Sequence, residues 1–338
     1  MLNNTPKKQH FVPQFLLKNF VQEKADRMYV FDKKKNHSFA SNVKDIGHEN
    51  NFYKDNVSDL GNKLEFKLSE LEACASPIIG KIIEQKSVKN LDDSEISALC
   101  LFASVQMLRT NDTRELIQSF NDILNERLND FVHNQEHRSS KFIEQSSEEL
   151  KSSSIQILNS QASELALKFI DKRISLLQAP KGNAFYISDN PIVKHNHFPR
   201  EGRGNLGIAL KGIEIYFPIS SSLCLSFLCS ETVNEMTQKV NNFKAARVLG
   251  LAPDIDMSEP IRMVENFEKN ATRILNDQNM DFCNSLQVIH STRFIYSGKG
   301  SFLLAKDMLK THPEISSQRK IVDASTRTAR GQKLIKGQ

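Results

Sequence analysis

The chain has 338 residues, of which 39% are hydrophobic and 25% charged, so it can bury a sizeable core and falls outside the disordered class. Its formal net charge of +5 is mild and does not by itself indicate a nucleic-acid partner. The five cysteines are odd in number and show no Cys-x-x-Cys spacing, so we expect neither a disulfide framework nor a zinc cluster.

The first residues lack the apolar region of a secretion signal. No stretch approaches the roughly 20 apolar residues that a membrane span needs. We therefore expect a cytoplasmic protein with no membrane partner. The sequence does not indicate its oligomeric state.

The N-terminal region predicts a short helix followed by a β-hairpin. Pro13 suits a first helical turn, and apolar residues repeat behind it at helical spacing. Residues 27–32 are typical of a strand. After a turn, residues 37–43 are predicted to form the second strand of the hairpin. Residues 45–53 are polar and predict an irregular connection.

The middle of the chain predicts helices. Apolar residues mark an amphipathic helix over residues 64–83. Asp92 and Glu95 have the spacing of a capping box, which predicts the start of a helix that extends to Arg109. Helical periodicity then continues over residues 112–174, with a polar, mobile junction expected at 135–154.

The last part mixes strands and helices. The pattern predicts strands over 184–187, 213–219 and 223–228, then helices over 232–249 and 258–276. Segregated strands and helices favour an α+β fold, predominantly helical, with an N-terminal β-hairpin unit, a long helical block and a small mixed sheet. We assign these to residues 1–60, 61–178 and 179–315, followed by a basic tail over 316–338.

The tail carries six Lys or Arg against one Asp from residue 319 onward. Such a segment is either a frayed, solvated terminus or an electrostatic arm for phosphate backbones.

Several of these segments resemble a known family. The opening motif Gln9-His10-Phe11-Val12-Pro13-Gln14 is similar to the His-x-x-Pro-Gln start of the bacterial group called "domain of unknown function 4238". The segments that follow in the same order are Tyr29–Asp32, Glu49–Tyr53, the helix with Gln106 and Arg109, Ile187–Pro191 and Phe217–Ser220. The resemblance spans roughly residues 9 to 300. It implies a shared fold and no established activity.

His10 directly precedes the first helix, at or near its N-terminal cap. An imidazole there can be a ligand, a base or a phosphate donor, or it can simply cap the backbone. Glu49 is either drawn inward by Phe52 and Tyr53 or left as a loop acid, and Glu65 borders an apolar helix face. His10 with Glu49 or Glu65 would suit a divalent cation or a general acid–base pair.

Gln106 and Arg109 share one face of an apolar helix. A buried Arg109 needs a partner, because an unpaired buried charge costs several kcal/mol. It either pairs with an internal acid such as Glu49 or Asp189, or it faces a cleft and binds an anionic substrate. Arg114 and Arg127 are expected to be exposed.

Asp189 follows a predicted strand, where it could contact a metal or substrate or simply form a turn. His195-x-His197 could place two imidazoles on one face of a strand, although the following Pro and Gly favour a loop. No phosphate-binding glycine loop, nucleophile elbow or zinc-protease motif occurs in the sequence.

These residues lead to three hypotheses. The first is a phosphodiester hydrolase acting on RNA or DNA, which would suit a bacterial defence or toxin-type effector. Its catalytic residues would be His10, Glu49, Arg109 and Asp189, and its substrate-binding residues Gln14, Glu65 and Gln106. A divalent metal would fit, and nucleic acid would be the partner. The second is a non-enzymatic binding or regulatory protein with a structural polar network; a nucleotide-dependent transferase ranks last.

Overall fold

A computed structural model describes residues 7–21, 27–53, 60–133, 146–198, 200 and 204–317. Nearly all of the predicted basic tail, most of the predicted junction and the side chain of Arg127 lie outside this part of the chain. Within it, no helix is long and apolar enough to cross a membrane.

Helices dominate the described residues, which confirms the predicted α+β, predominantly helical class. They are α1 (Gln14–Lys18), α2 (Leu60–Gln85), α3 (Asp93–Leu108), α4 (Asn111–His133), α5 (Ser147–Ile170), α6 (Ser230–Val248), α7 (Ser258–Glu268), α8 (Asp277–His290) and α9 (Leu303–Thr311). The predicted capping box is present at the start of α3, where the Asp92 side chain accepts from the Glu95 N–H and Glu95 accepts from the Asp92 N–H.

In the described part of the chain, the strands form three sheets. They are β1 (Lys8–His10), β2 (Arg27–Asp32), β3 (His37–Asn42), β4 (His48–Asn50), β5 (Lys172–Gln178), β6 (Ile187–Ser188), β7 (Val193–Asn196), β8 (Ile213–Pro218), β9 (Leu223–Cys229), β10 (Arg273–Ile274) and β11 (Phe294–Ser297). β1 pairs with β4, the second sheet has the order β3-β2-β11-β6, and the third has the order β10-β5-β9-β8-β7.

Five local predictions were wrong, and in each case a short strand was missed or misplaced. The strand predicted over residues 184–187 begins only at Ile187, the first residue of β6. Residues 45–53 are not irregular throughout, because β4 pairs with β1 some 40 residues earlier, Gln9 lying opposite Glu49. Residues 172–178 form β5 rather than the end of a helix, since a short apolar run does not distinguish the two. The helix predicted to reach residue 276 ends at Glu268, where Asn270 adopts a positive φ. His195 lies in β7 rather than in a loop.

The two ends of the described chain share one sheet. β2 pairs with β3 on one side and with β11 on the other, with Phe31 opposite Ile295. One apolar cluster also runs from Phe11 to Tyr296 and includes residues of all three predicted segments. The N-terminal hairpin is therefore packed into the same core as the later strands, and the predicted segment boundaries stay a prediction.

Gly47 fixes the path of the N-terminal motif. Its carbonyl accepts the backbone N–H groups of Phe11 and Val12, at 2.9 and 3.1 Å. Its φ of +64° lies in the left-handed region, which glycine adopts without steric cost. A Cβ at this position would lie 3.1 Å from Val12 Cβ and 3.2 Å from the Val12 carbonyl oxygen. The close approach thus requires glycine for two separate reasons.

We predict that Gly47→Ala lowers the free energy of unfolding by about 2 kcal/mol or more, because it adds both a backbone penalty and a contact. Gly250→Ala is the matched control, since Gly250 has a φ of +70° with open space around it. It should cost about 1 kcal/mol, from backbone conformation alone. Urea unfolding of both variants measures the difference, and equal losses would contradict this account of Gly47.

Candidate functional site

His10 lies at the end of β1 and faces a second imidazole. It pairs across the ribbon with His48 of β4, and the two ring centroids are 5.2 Å apart in an edge-to-face arrangement. The N-cap position of α1 is occupied by Pro13, so His10 does not cap this helix, and its ring is hydrogen-bonded to the backbone of Lys44 instead. His48 was missed by the sequence analysis, because nothing local indicates that residue 48 pairs with residue 10.

The other face of the ribbon carries Gln9 and Glu49. Gln9 is buried, and its side-chain oxygen accepts the Tyr53 backbone N–H at 2.6 Å. Glu49 is half-buried, and its charge acts on Arg114. The Arg114 guanidinium lies 3.4 Å from the ring centroid of Phe52 and donates to the Phe52 carbonyl. Arg114 is therefore not the exposed residue predicted from the sequence.

Gln106 joins α3 to the N-terminal motif. It is fully buried, and its amide nitrogen donates to the Phe11 carbonyl at 2.8 Å. Its side-chain oxygen accepts from Arg109 Nε, also at 2.8 Å. The predicted shared face of these two residues on α3 is thus present as a direct hydrogen bond.

Arg109 pairs with an acid that the sequence analysis did not single out. Its Nη1 lies 2.7 Å from Glu72 Oε1 on α2, rather than bonding to Glu49 or Asp189 as proposed. The Arg109 side chain is 1% exposed and that of Glu72 is 29% exposed, so solvent reaches the pair from the α2 side. Glu72 and Glu65 are seven residues apart, two helical turns, which places Glu65 on the same side of α2.

Burial and neighbouring charges perturb the titration of this group. Burial, the nearby His48 and the positive charge of Arg109 lower the pKa of His10 to about 4. Burial and the Glu72 carboxylate raise the pKa of Glu65, and Arg109 opposes that shift. At neutral pH the His10 imidazole is neutral and can accept a proton, while Glu65 retains a proton more readily than an ordinary glutamate.

Buried polar atoms without a hydrogen-bond partner are concentrated here. Seven side-chain nitrogen or oxygen atoms have this property among the described residues, and the two outside this region belong to Thr232 and Thr292. The other five are His10 Nε2, His48 Nδ1, Tyr53 Oη, Arg109 Nη2 and Thr110 Oγ1. We call His10, His48, Tyr53, Glu65, Glu72, Gln106, Arg109 and Thr110 the His10–Arg109 cluster.

A small cavity adjoins this cluster. Its volume is about 10 Å³, and Tyr53, Arg109, Thr110 and Arg114 line it together with Ser154 and apolar residues. That space is close to the size of one water molecule. Guanidinium and hydroxyl groups are hydrogen-bond donors, so the polar lining suits a single oxygen acceptor.

Asp189 belongs to a different network. Its carboxylate accepts the backbone N–H groups of Thr292, Arg293 and Phe294 at 2.7 to 2.8 Å. Burial raises the pKa of Asp189 to about 6, and the three N–H groups oppose that shift. These bonds hold the segment that leads into β11, so Asp189 has a structural role here and does not bond to the His10–Arg109 cluster.

The remaining predicted residues lie outside the hydrogen-bond network of the cluster. Gln14 is half-buried at the start of α1. His195 Nε2 lies 3.3 Å from His197 Nδ1, and His197 Nε2 lies 3.4 Å from Glu214 Oε2. The predicted alternative of two imidazoles together is therefore present at the end of β7. Glu214 was missed, although an acid inside an apolar strand could have indicated it.

Within the described part of the chain, no group of three or more His, Cys, Asp or Glu residues is placed to hold a metal ion. The His10–Arg109 cluster contains two imidazoles and two carboxylic side chains, and its positive charge is carried by the Arg109 guanidinium.

The fold and the cluster define an α+β protein in which a buried glutamine, Gln106, joins the N-terminal motif to a helical block that contains a buried arginine, Arg109. A family model described as "Protein of unknown function (DUF4238)" matches residues 8–301. The chain belongs to this family, which confirms the predicted resemblance. No curated protein and no solved structure matches the chain.

We predict that Asp189→Asn lowers the free energy of unfolding by about 3 kcal/mol, because an amide offers one acceptor oxygen and turns its NH₂ toward backbone donors. Asp254→Asn, at an exposed loop position, should change it by less than about 0.5 kcal/mol. Chemical unfolding measures both. An equally small loss for Asp189→Asn would show that the three backbone bonds do not stabilise the fold.

The depressed pKa of His10 predicts a loss of stability in acid. Between pH 6.5 and about 4 the unfolded chain binds a proton at this histidine while the folded chain does not, so the free energy of unfolding falls as pH decreases. The full shift corresponds to about 3 kcal/mol, and solvent screening at a half-buried group reduces it to about half of that.

His10→Gln should flatten this pH dependence, and the exposed His37→Gln should leave it unchanged. Urea unfolding at pH 4, 5, 6 and 7 measures the slope for each variant. The same slope in wild type and His10→Gln would contradict the burial of a neutral imidazole.

Proposed function

We propose that this protein is a phosphodiester hydrolase, a nuclease acting on RNA or DNA, and that the His10–Arg109 cluster is its catalytic site. The observation that carries the proposal is the concentration of unpartnered buried polar atoms in this one place. Each such atom costs about 1–3 kcal/mol of stability. A network serving only to fix the fold would be expected to satisfy its own donors and acceptors.

The charge and protonation of the cluster fit this chemistry. Arg109 Nη2 has no hydrogen-bond partner although Nε and Nη1 are both bonded, which leaves one donor for a phosphate oxygen. The small cavity beside it has room for one oxygen atom and is lined by the Tyr53 and Thr110 side chains. Donors fixed in advance stabilise charge that develops on a non-bridging oxygen.

Proton transfer is assigned to His10 and Glu65. Water adds its oxygen to phosphorus, and the proton that it loses passes to Nε2 of the neutral His10. The ester bond between phosphorus and the leaving oxygen breaks, and Glu65, whose raised pKa favours the protonated form, supplies a proton to that oxygen. Glu49 acts on Arg114 on the other face of the ribbon and serves to position that residue.

A non-enzymatic binding or regulatory protein is the second candidate. Gln106 supports it, because both ends of its amide are bonded and it ties α3 to the N-terminal motif. The ion pair between Arg109 and Glu72 likewise joins α3 to α2. These bonds would fix the fold whether or not the protein has a substrate.

We expect His10→Ala to reduce cleavage at least 100-fold, because it removes the proposed proton acceptor Nε2. The melting temperature should fall by no more than the loss of one half-buried ring and its single hydrogen bond to the Lys44 backbone accounts for. The assay uses single-stranded RNA, single-stranded and duplex DNA and bis(4-nitrophenyl) phosphate, with Mg²⁺ or Mn²⁺ and with EDTA. His37→Ala, outside the cluster on β3, is the control and should retain wild-type cleavage.

Two results would contradict the nuclease proposal. One is wild-type protein that cleaves none of these substrates under any of the conditions. The other is His10→Ala that cleaves at the wild-type rate. A stable wild-type protein that cleaves no substrate, or a large loss of stability in His10→Ala, would favour the structural network instead.

A further inference from the structure

A larger pocket lies on the five-stranded sheet, away from the His10–Arg109 cluster. Its volume is about 340 Å³, within the range of small-molecule sites. Three strands of the sheet form the floor, and each contributes two residues. The two residues of each strand are two positions apart, so their side chains lie on the same face of the sheet. They are Ser175 and Leu177 on β5, Glu214 and Tyr216 on β8, and Ser226 and Leu228 on β9. Residues of α7, β10 and α8 form the walls.

One end of the pocket carries a fixed carboxylate. Glu214 Oε2 accepts from the Tyr216 hydroxyl at 2.7 Å and lies 3.4 Å from His197 Nε2. Both neighbours hold the carboxylate in place, and a carboxylate has more acceptor positions than these two contacts use. Glu214 can therefore accept from a ligand donor without losing its own orientation.

A positive charge stands in the same pocket. Arg273 on β10 is half-buried, and the described residues give it no ion pair. It does not bond to Glu214, although the charges of both residues act on the thiol of Cys283, which also lines the pocket. The two opposite charges thus border one space without neutralising each other.

The rest of the wall combines apolar side chains with the amides of Gln278 and Asn279 on α8. Leu275 and Phe282 contribute from the segment after β10 and from α8, and Met263 and Phe267 contribute from α7. A ligand that fits this lining has an apolar body and presents a positive group to Glu214 and a negative group to Arg273. The volume suits a molecule of the size of a single amino acid rather than a dinucleotide.

We propose that this pocket binds a small zwitterion with an apolar body, of the chemical class of an apolar α-amino acid, with its ammonium group on Glu214 and its carboxylate on Arg273. This pocket is separate from the proposed hydrolase site, so each of the two proposals can be correct without the other.

The proposal is tested by calorimetric titration of the full chain with L-leucine, L-methionine and L-phenylalanine. Each amino acid is compared with the acid that lacks its ammonium group and with the amine that lacks its carboxylate; for leucine these are 4-methylpentanoate and 3-methylbutylamine. We expect saturable binding of at least one amino acid. We expect its matched analogues to bind about tenfold or more weakly, because each loses a charge-assisted hydrogen bond.

Variants assign the two ends. Arg273→Gln should remove the preference for the amino acid over the amine, and Glu214→Gln should remove the preference over the acid. Glu231→Gln and Arg262→Gln, exposed residues on α6 and α7 outside the pocket, should bind like wild type. The analogue series on wild-type protein and Arg273→Gln keep the test decisive if Glu214→Gln fails to fold.

Absence of binding by all three amino acids would overturn the proposal. Equal binding of an amino acid and its two analogues would also overturn it, as would unchanged preferences in folded Glu214→Gln and Arg273→Gln.

Discussion

A guanidinium buried at the end of α3 is the constraint around which the N-terminal half is arranged. Arg109 is 2% exposed and cannot lose its charge, so its donors need acceptors inside the protein. Gln106 accepts from Nε and Glu72 from Nη1, and this brings α2 against α3. Gln106 in turn donates to the Phe11 carbonyl, which fixes the N-terminal motif on the same helix.

The same constraint produces the electrostatics of the candidate site. Burial of the His10 ring, the neighbouring His48 and, to a smaller extent, the Arg109 charge disfavour the imidazolium form and lower the pKa of His10, so His10 stays neutral at physiological pH. The third guanidinium nitrogen of Arg109, Nη2, is left without a partner beside the cavity that Tyr53 and Thr110 line. Arg109 therefore has two roles: its Nε and Nη1 bonds stabilise the fold, and its unpartnered Nη2 is available for the proposed chemistry.

What the sequence predicts well is local or strongly periodic. The α3 capping box, the β2–β3 hairpin and strands β8 and β9 were each visible as spacing or alternation and are present. The β1–β4 ribbon was not predicted, because three-residue strands carry no periodic signal and their pairing is set by residues 40 positions apart.

The candidate site was predicted in part for the same reason. His10, Glu65, Gln106 and Arg109 were each identified as polar residues in apolar surroundings, and the structure brings them together. Glu72 and His48 were missed, because only the fold makes one the partner of Arg109 and the other the neighbour of His10. Asp189 was predicted with them, but its carboxylate bonds to backbone N–H groups outside the cluster, and no side-chain pattern reveals such partners.

The central claim is that a phosphodiester substrate binds to the unpartnered polar atoms of the His10–Arg109 cluster. Nitrogen-15 NMR of the histidine rings tests it most directly, recorded at pH 6.5 with and without a phosphorothioate dinucleotide. The account predicts a neutral His10 ring in the free protein, and ring-nitrogen shifts of His10 that saturate as the dinucleotide is added, with His37 unchanged. A protonated His10 ring in the free protein, or a His10 ring that does not respond to the dinucleotide, would contradict it.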